Sequence, residues 1–151
     1  MQLFRITLEK WAGKLVSSGF ASRWNSNGIE VLYFASSRAL ACLENVVRLH
    51  GDELSAKFKV TVIDVSENLV EDLDINKLPD NWYFTDPSAY ELCRPFGDKW
   101  VKSNSSLLLK VPSAIIKNEY NFLVNPKHSD FNKIKLRGIE PFYFDPRIKN
   151  K

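Results

Sequence analysis

The sequence predicts an α+β domain. Short alternating or β-branched runs recur along the chain, and only two or three helical patterns interrupt them. Those helices do not alternate regularly with the strands, as a doubly wound sheet would require. A third observation concerns phosphate binding: the chain has six glycines, none spaced as a phosphate-cradling loop, so any nucleotide must bind by another route. At 151 residues the chain fits one domain, residues 1–151, able to bury a core without disulfide or metal staples.

Residues 2–8 alternate, with Leu3 and Arg5 on one side and Phe4, Ile6 and Leu8 on the other, and read as a strand. Glu9 to Val16 suggests a short helix stopped near Gly19, and Ser22 to Gly28 is turn chemistry. Ile29 to Ala35 is β-branched and aromatic, which favours a strand. Ser36 or Ser37 then caps a helix running to about His50, with Ala39, Leu40, Leu43, Val46 and Val47 on its apolar face. Residues 57–65 alternate again as a strand, and residues 66–80 form an acidic connection. Pro87 to Leu92 predicts a short helix, and Arg94 to Trp100 a loop leading to a short helix or turn. Leu107 to Val111 and Tyr120 to Val124 are apolar strands, closed by Pro112-Ser113 and Asn125-Pro126. Ile134 to Leu136 and Pro141 to Phe144 are weak strand candidates.

Composition is that of an ordinary globular protein, 44% hydrophobic and 26% charged. The net charge of +3 is too small to argue for direct nucleic-acid binding. Charge is uneven, with five acids and no base from Asp64 to Asp74 and a basic end from Lys127 onward. Both read as solvated surface, with a partner-docking acidic patch as the alternative. Cys42 and Cys93 lack metal-ligand spacing and suggest no disulfide framework, which fits a reducing cytosol. Cys42 falls in the apolar helix pattern and is expected in the core. The N-terminus lacks the apolar run of a signal peptide, and no run approaches membrane-spanning length. The expectation is a cytoplasmic protein with no membrane partner.

His50 and His128 have no zinc spacing, and there is no G-x-S-x-G elbow for a serine hydrolase. What remains is a set of polar residues in unexpected places. Glu44 carries the only charge between Arg38 and Arg48, at the edge of an apolar helix face. It either reaches solvent or an arginine, or it is a site carboxylate held on a rigid helix. Arg23 is either a surface arginine stacked on Trp24 or a fork for phosphate. Tyr33 is either a core aromatic with a satisfied hydroxyl or a ring that stacks on a flat heterocycle. Ser113 reads most simply as a turn or cap residue, and Arg5 lies on an outer face or lines a cleft.

The order of these residues is more specific than any one of them. FRI at 4–6, RWNSNG at 23–28 and VLYFASSRALACLENVV at 31–47 come first. LPDNW at 78–82, GDKW at 97–100 and VPSAI at 111–115 follow. NFLVNPKHSDF at 121–131 and FDPR at 144–147 complete the series. Together they resemble the RES-domain family, named for an Arg, a Glu and a Ser, over nearly the whole chain. Ala21-Ser22 stands where that family often has Gly-Gly, and the loop before Arg23 looks shortened. The helix continues Val-Val-Arg-Leu-His in place of a more usual Val-His, so His50 carries no role.

The resemblance implies a split β-sheet core like that of ADP-ribosyltransferases, and a toxin from a bacterial toxin–antitoxin pair. It implies degradation of NAD+ by cleavage of the nicotinamide–ribose bond, through phosphorolysis or hydrolysis. Arg23, Tyr33, Glu44 and Ser113 would be the catalytic residues. Arg5, Arg23, Tyr33 and Ser113 would contact NAD+, which is the substrate; inorganic phosphate is an optional co-substrate. No permanent cofactor and no metal are implied. The implied partner is an Xre-like helix-turn-helix antitoxin that blocks the cleft, with a homodimer inside a larger complex. The alternatives are an ADP-ribosyltransferase that modifies a protein and a non-catalytic binding module.

Overall fold

A computed structural model describes residues 1–148. The basic residues Lys149 and Lys151 at the end of the chain lie outside the described residues. The chain begins with β1 (Gln2–Leu8), β2 (Leu32–Ala35), α1 (Arg38–Val46) and β3 (Phe58–Asp64). It continues through β4 (Val70–Asp72), α2 (Pro87–Ser103), β5 (Leu108–Pro112), β6 (Tyr120–Val124) and β7 (Lys135–Phe142). The strands form one seven-stranded sheet in the order β4-β5-β6-β2-β1-β3-β7. All neighbours are antiparallel except β4 and β5, so this is an α+β fold.

The sheet is nearly split in the middle. β1 and β2 pair at the single position Phe4↔Ala35, whereas β1 pairs with β3 along its whole length from Gln2↔Asp64 to Leu8↔Phe58. β2 is taken up on its other side by β6, from Leu32↔Val124 to Ala35↔Asn121. Continuing the β1–β2 ladder would set Arg5 against Phe34 and Ile6 against Tyr33. Instead the strands part there, and a cleft opens between them.

Both faces of the sheet are covered, so several strands read as apolar on both sides. Side-chain alternation sends Leu108 and Val124 to one cluster with Leu3, Leu32 and Phe34. Leu109 and Leu123 go to the opposite cluster under α2, with Trp24, Cys93 and Trp100. A third cluster under α1 joins Phe4, Ile6, Leu40, Phe58 and Val60.

Several local expectations are corrected. Of the helix expected from Glu9, only a 3₁₀ turn at Glu9–Trp11 forms. Ala12 already leaves the helical region, and Gly13 sits at φ 71, with its N–H donating to Thr61 Oγ1 at 3.0 Å. α2 is one helix of 17 residues where a short helix and a loop were expected. Asp86 caps it through the N–H groups of Ser88 and Ala89, and Pro95 is accommodated inside it. An interior proline costs roughly 3 kcal/mol of helix stability, which the buried face of Ala89, Cys93, Gly97 and Trp100 outweighs.

The acidic connection contributes the short edge strand β4, which local propensity does not favour and parallel pairing with β5 imposes. Two of its acids are paired, Asp72 with Lys110 and Asp74 with Lys77. The two weak C-terminal candidates are parts of one strand, β7, which lies at the sheet edge and therefore tolerates Pro141. α1 is capped by Ser37, whose side chain accepts from the Leu40 N–H, and it ends at Val46. Its buried face is narrower than expected: Leu40 and Ala41 are buried, but Leu43 and Val47 are 36% and 57% exposed. Cys42 is half-buried and Cys93 buried, and both are free thiols.

Candidate active site

Two cavities meet at the split. The larger, about 380 Å³, runs along the edge of β1 past Arg5 and the loop at Phe20 to Ser22. The second, about 250 Å³, lies beyond it against Arg23, Trp24, Tyr90 and Ile115. Four residues line both: Tyr33 of β2, Glu44 and Arg48 from α1 and the turn after it, and Asn121 of β6. These four form the ridge between the cavities.

Glu44 is the anion of that ridge. Its position on α1 follows from the Ser37 cap and the burial of Leu40 and Ala41, which turn the Glu44 edge toward the cleft. Asn121 Nδ2 donates to Glu44 Oε1 at 2.5 Å, and Arg48 Nη2 stands 3.8 Å from Glu44 Oε2. The side chain is 22% exposed, so the carboxylate is held by Asn121 and still reaches the cavity. Glu44 thus pairs with an arginine, and it also faces a cleft.

Tyr33 presents its ring to both cavities while its hydroxyl is engaged behind them. The hydroxyl donates to Asn25 Oδ1 at 2.6 Å and accepts from the Trp24 N–H at 3.2 Å. Burial pushes its pKa up to about 12, so the phenol stays neutral and acts as a hydrogen-bonding anchor. Asn25 is buried and also donates to the carbonyls of Phe20 and Ile29, which fixes the turn that sequence chemistry placed at 22–28.

Arg23 is not a surface residue stacked on Trp24; it is 9% exposed, and its guanidinium lies over the Tyr90 ring at 4.2 Å. Its fork is occupied, with Nη1 donating to the Trp82 carbonyl at 2.5 Å and Nη2 to the Phe84 carbonyl at 3.1 Å. Arg23 therefore lines the second cavity as a strut that holds the 82–84 segment. Arg5 lines the first cavity, and its guanidinium reaches the Val16 carbonyl only at 3.4 and 3.5 Å. Burial lowers its pKa from the ordinary value, and an arginine stays charged even so.

Ser113 is buried and lines neither cavity. Its Oγ accepts from the N–H groups of Ile115 and Ile116 at 3.1 and 3.2 Å, the turn role read from Val-Pro-Ser-Ala. Through that turn it sets the backbone of Ala114 and Ile115, which line the second cavity.

The GDKW segment braces the site from behind. A Cβ at Gly97 would lie 1.9 Å from the Trp24 carbonyl oxygen, so glycine is what lets α2 approach this turn. Asp98 accepts from the Ser26 N–H at 2.9 Å and from its hydroxyl, and Arg94 Nε donates to the Ser22 carbonyl at 3.0 Å. Asn121, Arg48 and Asn25 were missed by sequence reasoning as site residues. Asn121 is the second residue of an apolar strand and Asn25 sits among turn residues, where an amide is unremarkable. Arg48 had one usable signal, its spacing of one helical turn from Glu44. Among the described residues there is no group of three or more His, Cys, Asp or Glu able to hold a metal, and no helix long and apolar enough to cross a membrane.

A mixed, nearly split sheet with a carboxylate, a tyrosine ring and arginines at the parting defines an α+β domain built around a central cleft. The chain belongs to the RES-domain family, whose model matches residues 2–145. It is 36% identical over 143 residues to a "Prs ADP-ribosylating toxin" of Sphingobium sp., covering 93% of this chain and 86% of that one. It is 34% identical over 156 residues to a "Toxin Res" of Yersinia enterocolitica, covering 99% of this chain and all of that one. Among solved structures it resembles a chain of the M. tuberculosis MbcT-MbcA toxin-antitoxin complex, with a TM-score of 0.76 at 19% identity. That match covers 94% of this chain and 84% of the other, and shows a shared fold.

Proposed function

We propose that this protein is the toxin of a toxin–antitoxin pair and that it breaks the nicotinamide–ribose bond of NAD+ in the cytoplasm. The observation that carries the reading is Glu44, a carboxylate fixed by Asn121 on the ridge where two cavities meet. The toxin names of the Sphingobium and Yersinia relatives support it.

Cleavage of this bond gives a ribose with oxocarbenium character at C1′, the kind of charge that glycosidase carboxylates stabilise. Glu44 is the anion beside that charge, and its hydrogen bond from Asn121 holds it in place during reaction. The bonding pair leaves with nicotinamide, whose ring becomes neutral. Water, phosphate or a protein side chain then bonds to C1′, and any proton the acceptor carries on the bonding atom passes to solvent. Tyr33 packs its ring against the nicotinamide end and limits its motion. Arg23 shapes the wall by holding the 82–84 segment, and Arg5 offers positive charge in the larger cavity. Ser113 acts on the wall through its turn.

A cleft that consumes NAD+ needs restraint in its own cell. The partner in this reading is a helix-turn-helix antitoxin that covers the cleft, with the toxin as a homodimer inside the complex. The structural likeness to a chain of a toxin–antitoxin complex is in keeping with it.

The test uses purified, antitoxin-free protein and NAD+, with products resolved by mass spectrometry with and without phosphate. ADP-ribose in both buffers identifies hydrolysis, and phosphorylated ADP-ribose only with phosphate identifies phosphorolysis. Intact NAD+ in both overturns hydrolysis and phosphorolysis and leaves transfer to a protein acceptor. The Sphingobium relative's name favours a second acceptor, a protein, for which labelled NAD+ would mark a protein band.

A further inference from the structure

The proposed reaction leaves one requirement unassigned. NAD+ carries a pyrophosphate, and a carboxylate placed beside the reacting ribose repels it. A cation must stand between them. Two of the three arginines that line the cavities fit that task poorly. Arg23 has both terminal nitrogens on backbone carbonyls and its face on Tyr90. Arg5 lines only the larger cavity, on the far side of the ridge from the second.

Arg48 meets the requirement on three counts. It lines both cavities, as a group spanning the ridge must. In the turn that follows α1 its guanidinium stands 3.8 Å from the Glu44 carboxylate, close enough to meet a phosphate carried by the ribose that faces Glu44. Its side chain is 56% exposed, and its one ion pair among the described residues, to Glu44 at 3.8 Å, is longer than a formed hydrogen bond. The guanidinium is thus free to turn to a phosphate without breaking packing.

We propose that Arg48 binds the phosphate group of the substrate and makes the cleft select phosphorylated nucleotides over bare nucleosides. This deepens the NAD+-cleaving reading and rests on it. Arg48 moves from Glu44 to the phosphate when substrate enters, which leaves the Glu44 carboxylate held by Asn121 and facing the ribose.

The experiment measures NAD+ turnover and, separately, equilibrium binding of ADP-ribose at several salt concentrations, for the native protein and for Arg48→Ala and Arg48→Lys. The expected result for Arg48→Ala is a KM for NAD+ and a Kd for ADP-ribose each raised about tenfold or more, with kcat within about threefold of native. Its salt dependence of binding becomes shallower, and Arg48→Lys recovers part of the affinity. A fall in kcat with ADP-ribose binding unchanged would show that Arg48 acts only on Glu44, and would overturn the proposal. Equal binding by native protein and Arg48→Ala would overturn it too. Failure of the NAD+ reading itself shows separately, as ADP-ribose binding that depends on Arg48 without any turnover. A native protein that neither turns over NAD+ nor binds ADP-ribose overturns both.

Discussion

Asn121 Nδ2 donates to Glu44 Oε1 at 2.5 Å, and this contact ties the helix after β2 to the strand that pairs with β2. One amide thereby fixes the only carboxylate on the ridge between the two cavities. Glu44→Gln removes the charge but keeps the shape. It is expected to lower NAD+ turnover by about a hundredfold or more while the melting temperature stays within a few degrees. Asn121→Ala keeps the charge and frees its position. It is expected to lower kcat by about tenfold or more with a smaller change in KM, measured by steady-state kinetics. Unchanged kcat in both variants would remove Glu44 from the chemistry.

Arg23 acts as a strut, so its loss is felt in stability and in the 82–84 segment. Arg23→Ala leaves the carbonyls of Trp82 and Phe84 without their donors and is expected to cost about 2–4 kcal/mol in urea unfolding. Arg23→Lys cannot span two carbonyls and stack on Tyr90 together, so it rescues little. Hydrogen exchange in 82–84 is expected to rise in both variants. Native-like exchange there would show that the fork is dispensable.

Gly97 sets how closely α2 meets the turn at Trp24. Gly97→Ala would place a methyl group 1.9 Å from a carbonyl oxygen that cannot swing away, unlike a side-chain tip. The expected destabilisation is about 2 kcal/mol or more by denaturant titration, although alanine favours a helix over glycine. Stability equal to native would mean that the helix and the turn separate easily.

Tyr33 carries an alkaline pH dependence. Its folded pKa is about 12, above the usual 10.0, so the folded state holds the proton more tightly than the unfolded chain does. The stability from this group is therefore complete below about pH 10 and is lost as pH rises toward about 12. Tyr33→Phe, though less stable at neutral pH through loss of the Asn25 and Trp24 contacts, is expected to lose less stability than native over that window. Parallel pH–stability curves for the two proteins would argue against a buried neutral phenol.

Much of the fold was legible because it depends on local chemistry. The alternation of residues 2–8 and 57–65 and the apolar runs of β5 and β6 mark strands that the sheet contains. The serine before Arg38 caps α1. Elements set by tertiary contacts were not legible. Pro95 and Gly97 read as a loop, yet packing of α2 against Trp24 and Leu109 carries the helix through them. Short β4 exists because β5 offers it an edge.

The site divides in the same way. Sequence by itself determined which ionisable and aromatic groups the chain carries at unusual positions, Glu44 in an apolar helix and Tyr33 in a strand, because side-chain type and helical or strand period are local properties. Only the tertiary structure decided their tasks. The parting of β1 from β2 after Phe4↔Ala35 makes the cleft. Contacts across tens of residues then committed Arg23 to backbone carbonyls, set Ser113 behind the wall, and left Arg48 and Asn121 beside Glu44. Hydrogen-bond partners are assigned by three-dimensional proximity, and a sequence does not carry that information in any one segment.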